Sequence, residues 1–254
     1  MDETLSATGA RMQASSIADG GTPVELWTGW DHCIAPWDIA ECPGITIVAP
    51  HPDDETLGLG ATLAMLCAAG IDVQVVSVSD GGAAHPGLAA DGRAQLETLR
   101  RAELRQAMAV LGAREPIRLG MPDGELQLHE RQITERITAL LASFPAERWC
   151  AATWRGDGHP DHEAVGRATA DAAANSGTPF VEYPVWMWHW ARPGDSAVPW
   201  MRARRAVLTD EALALKRLAV QSFSSQTQPR PDGGAVLPAA VVNRLLEVGE
   251  VVFV

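Results

Sequence analysis

The sequence predicts an α/β fold, a three-layer α/β/α sandwich around a mostly parallel sheet. Two observations lead there. Continuously apolar runs of strand length, Ile45 to Ala49, Val73 to Val78 and Trp149 to Trp154, alternate with helical stretches. Strands buried on both faces read this way. The first strand, a helix and the second strand fit within residues 45–78. That is the length of a βαβ unit, whose crossover makes its two strands parallel.

Residues 1–20 are polar and small without a periodic pattern, and read as a loose leader. Residues 24–44 carry Trp27, Trp30 and Trp37 among Pro and Gly, an irregular segment packing on the domain. After the first strand, Leu57 to Ala69 is apolar nearly all round. Gly58 and Gly60 permit close packing there, and Gly70 is its stop signal. The Val73 to Val78 strand closes on Ser79-Asp80-Gly81-Gly82. Residues 83–92 form a loop. Arg93 to Leu111 is an amphipathic helix with Leu96, Leu99, Leu104, Met108 and Leu111 on or near one face. Pro116 to Leu119 is a short strand before the loop Gly120 to Gly124. His129 to Phe144 is a helix with Ile133, Ile137, Leu140 and Leu141 inward. The strand Trp149 to Trp154 leads through a Gly- and His-rich loop into a helix that runs to about Ala174.

Beyond Gly177 the pattern changes. Trp186, Trp188 and Trp190 alternate as on one face of a strand. Arg202 to Leu208 is a strand, and Asp210 to Gln221 a helix with Asp210 as its N-cap. Ser222 to Gly234 is polar and turn-rich, and Val241 to Val254 holds a short helix and a final strand. No linker splits the chain, so residues 1–254 read as a single domain with residues 178–254 forming the rim of the site. The strand–helix alternation makes the sandwich Rossmann-like.

Composition excludes several functions. The 254 residues, 46% apolar, suffice for one large core. The net charge is -12, with 32 acidic against 20 basic residues. That disfavours a nucleic-acid binder and a polybasic membrane anchor. No apolar run reaches the roughly 18 residues of a membrane span. Cys33, Cys42, Cys67 and Cys150 contain no C-x-x-C pair, which disfavours a zinc ribbon or disulfide framework. The expectation is a soluble, cytoplasmic protein.

The chemistry lies in two clusters. His51-Pro52-Asp53-Asp54-Glu55 puts one imidazole and three carboxylates directly after the first strand. Such a density of anions calls for a cation, and a turn can aim His51 and Asp54 at one point while Asp53 stays free. His159-Pro160-Asp161-His162 follows the strand that ends at Trp154. In a parallel sheet the C-terminal strand ends share one edge, where such folds bind ligands. The two clusters therefore converge. A two-His, one-carboxylate set with open positions suits a catalytic Zn2+ or another first-row divalent metal.

Ala49-Pro50-His51-Pro52-Asp53-Asp54-Glu55 and His159-Pro160-Asp161-His162, in that order and context, resemble the PIG-L/LmbE-like family of metal-dependent N-deacetylases acting on N-acetylglucosaminyl compounds. Leu99 to Glu103 and Met121-Pro122-Asp123 are similar to family text as well, and the likeness spans about residues 45 to 170. The resemblance implies that His51, Asp54 and His162 bind the metal. Asp53 would be the general base, and His159 would stabilise the oxyanion or protonate the leaving amine. Asp161 would fix an imidazole tautomer, while Arg100 and Asp123 would hold the substrate's sugar. A cationic His159 facing the developing alkoxide would act most strongly in the transition state.

The chain departs from some relatives just before the second motif. Asp157 and Gly158 stand where those carry tyrosine or arginine. Asp157 is a candidate for binding a sugar hydroxyl or a positive group, or a solvated turn residue. Asp80, at a strand end, is a further candidate ligand contact or a turn residue. Glu55 reads as a structural hydrogen-bond partner. The tryptophans are either an aromatic wall against sugar rings or a stripe in the core or between copies of the chain. His189 is a weaker candidate for lining the site. The reading is a zinc-dependent hydrolase removing an N-acetyl or longer N-acyl group from an amino-sugar substrate. The alternatives are an amidase of thiol-pseudodisaccharide conjugates, or a non-catalytic sugar or nucleotide-sugar binding protein. No G-x-G-x-x-G follows the first strand, which disfavours a dinucleotide cofactor.

Overall fold

The computed structural model describes residues 6–30, 33–230 and 233–254. In chain order its elements are α1 (Ala7–Ala14), α2 (Val24–Thr28), β1 (Ala35–Trp37), β2 (Ile45–Ala49), α3 (Asp54–Ala68), β3 (Val73–Ser79), α4 (Ala90–Leu111) and β4 (Ile117–Met121). Then come α5 (Glu130–Ala142), β5 (Trp149–Thr153), α6 (Pro160–Ser176), β6 (Phe180–Tyr183), α7 (Met187–Trp190), β7 (Ala203–Ala206), α8 (Asp210–Val220), α9 (Ser224–Thr227), α10 (Ala239–Glu247) and β8 (Val251–Phe253).

One eight-stranded sheet runs in the order β1-β7-β8-β6-β5-β2-β3-β4. Its strands pair in parallel except that β8 is antiparallel to both β6 and β7. The expected three-layer α/β/α sandwich is therefore the observed fold. The alternation of β2 explains the layers. Ile45 and Ile47 face one core with Leu63 of α3 and Leu104 of α4. Val48 faces the other core with Ile133 of α5 and Val165 of α6. Strand order reverses between β2 and β5, and at such a switch point a crevice opens outside the carboxyl ends of the strands. Both motifs hang from those two strands.

Helix α3 is not one straight rod. Leu59 has φ -135 and ψ 18, a break near the helix start. Beyond the break, the Ala61 and Thr62 amides donate to the Glu250 carboxylate, which also accepts from Lys216 Nζ at 2.9 Å. A carboxylate is the expected partner for amides freed at the start of a helical segment. Gly58 is required just before the break, because a Cβ there would lie 2.4 Å from the Tyr183 ring.

The structure corrects several expectations. Within the expected leader, residues 7–14 form α1, where the Thr8 hydroxyl donates to Glu163 at 2.5 Å and Arg11 pairs with Asp195. Residues 1–5 of that leader lie outside the described residues. The irregular segment 24–44 contains α2 and β1. Leu99 is 47% exposed, and the stripe that α4 buries runs through Leu96, Arg100, Glu103, Leu104 and Ala107. Two charged residues occupy that stripe, so hydrophobicity alone misplaces it. The N-cap of α8 is Thr209, whose hydroxyl accepts from Ala212 N, not Asp210. Within the turn-rich Ser222 to Gly234, Ser224–Thr227 is helical, and residues 231 and 232 lie outside the described residues.

The alternating tryptophans do not lie on a strand. Chain 187–190 is the short helix α7. The cause is tertiary: the Asp157 carboxylate accepts from the amides of Val185, Trp186 and Met187, each at 2.9 Å. Gathering three successive amides around one carboxylate turns the chain into a helix start. Trp186, Trp188 and Trp190 are buried within the chain, at 8%, 3% and 7% exposure. They form no surface between copies.

Candidate active site

The turn His51-Pro52-Asp53 lifts the chain from β2 into α3. Asp53 has φ 130, the one positive φ of a non-glycine among the described residues. Such a backbone persists only where the surroundings hold it. Here Glu55 accepts from Asp53 N at 3.2 Å, as expected of a structural partner. Arg100 of α4 donates to Pro52 O at 2.7 Å, Asp53 Oδ2 at 3.1 Å and Gly81 O at 3.0 Å. The turn is clamped, and the Asp53 carboxylate is aimed into the cavity by an ion pair.

Helix α3 starts with Asp54. Its Oδ2 lies 3.1 Å from His51 Nδ1 and 3.2 Å from His162 Nε2. One donor atom each from His51, Asp54 and His162 falls within 4.8 Å of the others. Tetrahedral zinc bonds of about 2.0–2.1 Å place neighbouring donors about 3.3 Å apart. The spacing fits. His162 Nε2 is buried and has no hydrogen-bond partner, although it faces Asp54. A buried ring nitrogen without a hydrogen-bond partner, aimed at a carboxylate, suits a metal ligand.

Each imidazole is fixed from behind. Asp157 Oδ2 lies 2.8 Å from His162 Nδ1. Asp123 Oδ1 and Asp161 Oδ2 lie 2.9 and 3.1 Å from His51 Nε2. Carboxylates there hold the proton on the outer nitrogen and leave the inner one free to ligate. Asp161 is itself anchored by the amides of Gly124 and Leu126, and Asp123 by the amide of Ala83. His159 Nδ1 accepts from Asp161 N at 3.2 Å, so its proton sits on Nε2.

The electrostatics follow from burial against an excess of carboxylates. Burial lowers the His162 imidazole, but Asp54 and Asp157 outweigh it and hold it at about 9. Burial also lowers His51, while Asp123, Asp161 and Asp54 keep it well above its ordinary value. The pocket thus favours positive charge where the ligands meet. Burial pushes Asp53 up to about 8 against the pull of Arg100, with Asp54 and Glu55 adding to the rise. His159 goes the other way. Burial, then the charges on His162 and His51, hold it down at about 3. His159 is therefore neutral, not the cation expected from the sequence.

Placement of the remaining candidates is mixed. Arg100 and Asp123 line the same cavity as His51, Asp53, Asp54, His159 and Asp161. Asp157 is fully buried, faces His162 and α7, and is not part of the cavity lining. Asp80 lies outside the cavity lining, paired with Arg101 and Arg118. Trp186 is the only one of the three alternating tryptophans in the lining. His189 lines a separate cavity with Ser15 and Arg192, held by Arg244 and Ser15 O. Sequence reasoning missed the part Asp157 plays. Its one signal was an aspartate five residues before a ligand histidine, at the end of a strand.

A protein-family comparison now bears on this geometry. The family model of PIG-L, GlcNAc-PI de-N-acetylase, matches residues 46–173, half of the chain. The chain belongs to the PIG-L family. The expected resemblance is borne out. Among relatives of this PIG-L chain is a 1D-myo-inositol 2-acetamido-2-deoxy-alpha-D-glucopyranoside deacetylase of Mycolicibacterium gilvum. It is 33% identical, over 67% of this chain and 65% of its own. The protein of that name from Mycobacterium avium is 37% identical, over 49% of each chain. The diacetylchitobiose deacetylase of Thermococcus kodakarensis is 29% identical, over 53% of this chain and 51% of its own. The chain thus spans about half to two-thirds of the length of these relatives. Among solved structures, the conserved protein TT1542 of Thermus thermophilus is 25% identical with a TM-score of 0.57, covering 79% of this chain and 84% of that one. A deacetylase of the teicoplanin biosynthetic pathway reaches a TM-score of 0.62 at 22% identity, covering 83% and 96%, a likeness of fold.

Proposed function

We propose that the protein is a metal-dependent amide hydrolase, with zinc as the metal, that removes an N-acyl group from an amino-sugar substrate. The observation that carries this is the facing trio of His51, Asp54 and His162, backed by carboxylates, with the unligated Asp53 beside it. Membership of the PIG-L family and the printed activities of the relatives support the substrate class.

His51, Asp54 and His162 would hold the metal. Bound there, it would polarise the amide carbonyl and bring the pKa of a water toward about 7. The chain's own groups do the rest. Asp53, aimed by Arg100, takes a proton from the attacking water. His159 offers its Nε2–H to the carbonyl oxygen as negative charge develops, and a neutral imidazole suffices for that. The water oxygen bonds to the acyl carbon, the C–N bond breaks, and the proton held by Asp53 passes to the leaving nitrogen. The products are a carboxylate and an amine, which takes up the remaining proton as an ammonium. Asp161 and Asp157 act through the imidazoles they orient, and Asp123 stands where a sugar hydroxyl would reach the cavity wall.

We also read residues 1–254 as one catalytic domain, since strands from β1 to β8 share a sheet. The four cysteines are free thiols, which supports a cytoplasmic location. No helix among the described residues is long and apolar enough to cross a membrane. The test is amine release from a panel of N-acylated glucosamine compounds by zinc-loaded protein. Chelation is expected to abolish release and added zinc to restore it. Zinc-loaded protein that releases no amine from any of them would remove this reading.

A further inference from the structure

The cavity at the candidate site has two chemically different halves. One half is the polar set around His51, with Asp53, Arg100, Asp123 and His159. The other is built from Leu57, Val185, Trp186, Leu237, Val241 and Leu245. Each of these is at most 8% exposed and belongs to the main core cluster. The wall is therefore a fixed face of the core, not a set of loose surface side chains. Leu57 apart, all of them lie beyond residue 173, where the family match ends. The polar half lies within the family match and, Leu57 apart, the apolar half lies beyond it.

The apolar wall is also held in place. Glu103 of α4 accepts from Ser225 N and both Ser224 and Ser225 hydroxyls, at 2.7 to 3.0 Å. Leu237 N donates to Gln226 O at 2.8 Å. The loop carrying Leu237 is thereby tied to α4, whose Arg100 aims Asp53. Wall and reacting groups share one support.

We infer that this wall receives the acyl chain of the substrate, and that the preferred chain is longer than acetyl, in the range of four to six carbons. The inference rests on the amide-hydrolase reading above. An amino sugar is covered in hydroxyls, and each costs free energy when desolvated without a partner. Aliphatic side chains offer none, so the sugar belongs with Asp123 and at the open mouth. A single acetyl methyl would leave most of the wall facing water. Both halves of the cavity together hold about 180 Å3. An apolar cavity of about 150 Å3 takes a benzene-sized guest, so the apolar half has room for a chain of a few carbons. The bond broken is the same amide, giving the short-chain carboxylate and the free amino sugar.

The experiment separates binding from turnover. Acetate, butanoate and hexanoate are titrated into zinc-loaded protein by calorimetry. Affinity is expected to rise by up to about fourfold per methylene while the chain stays within the wall. In Leu237→Asn that rise is expected to flatten, with zinc content and circular dichroism showing that the variant is folded. Val241→Ala serves as a second, milder variant and should reduce the slope. Affinity that is flat or falls from acetate to hexanoate overturns the inference. Kinetics on N-acetyl-, N-butanoyl- and N-hexanoylglucosamine and on hexyl N-acetylglucosaminide complete the test. A kcat/KM that rises with acyl length supports the inference. Fast acetyl release that slows with acyl length, or a gain only from the hexyl aglycone, overturns it and leaves the hydrolase reading intact. No turnover of any compound removes the hydrolase reading and, with it, the acyl-chain assignment, even if the carboxylates bind.

Discussion

Asp157 Oδ2 lies 2.8 Å from His162 Nδ1, and both side chains are sealed from solvent. The same carboxylate holds the amides of Val185, Trp186 and Met187. One residue thus fixes a proposed metal-ligating imidazole and the start of the segment that brings Trp186 to the cavity.

Asp157→Asn keeps the shape and removes the charge. Its amide can still accept from α7 but no longer holds His162 with Nε2 free. Zinc affinity is expected to fall about 10- to 100-fold, measured by competition with a chromogenic chelator. Unchanged affinity would mean that the aspartate serves α7 alone.

Asp53→Ala is expected to retain stoichiometric zinc and to lose about 10²- to 10⁴-fold in turnover, the span of general-base catalysis. A second variant isolates the backbone. At φ 130 an alanine stays strained and a glycine does not. Asp53→Gly should therefore melt above Asp53→Ala, by about 1–3 kcal/mol in unfolding free energy. Equal melting temperatures would show that the turn relaxes once the carboxylate is gone.

Arg100 was expected to hold the sugar, and the structure turns its guanidinium onto Pro52, Asp53 and Gly81. Arg100→Met should lower kcat about a hundredfold through a misaimed base, with little change in KM and with zinc retained. Loss of about 3–5 kcal/mol of stability is expected as well, because a buried pair is broken. A large rise in KM at constant kcat would restore the sugar-holding role.

Burial pushes the thiol of Cys67 up to about 11 and that of Cys150 up to about 12, and raises Cys42. A thiol titrating near 11 is about one-thousandth thiolate at pH 8, and the thiolate is what reacts. Iodoacetamide at pH 8 should label the exposed Cys33 first and leave the other three until the protein unfolds. Mass spectrometry after a short exposure reads the result. Early modification of Cys150 would contradict its placement in β5.

Legibility followed the range of the interaction that fixes each residue. That His51, Asp54 and His162 come together was readable because each lies between the end of an apolar strand and the first turn of the next helix, and parallel strands share an edge. The burial of β2 on both faces was readable from its continuously apolar run. Asp157 was not, because its partners in α7 come 28 to 30 residues later and exist only once that segment folds back. For the same reason the tryptophan alternation misled: a carboxylate from another element overrode the local pattern. Arg100 and Glu103 escaped the hydrophobic reading of α4 because sequence cannot show that a stripe carrying charge is buried. Helix α1 was missed because its one local signal is the N-cap Ser6, and its anchor, Glu163, lies 155 residues beyond Thr8.

The break at Leu59 separates the ligand-bearing first turn of α3 from its longer remainder, and the amides beyond it are satisfied by Glu250. That carboxylate lies just before β8, far along the chain from His162. A nascent chain therefore carries every proposed metal ligand, the last being His162, long before it can brace the helix that presents Asp54. On this geometry, a rigid metal site waits on a brace that is synthesised well after its ligands.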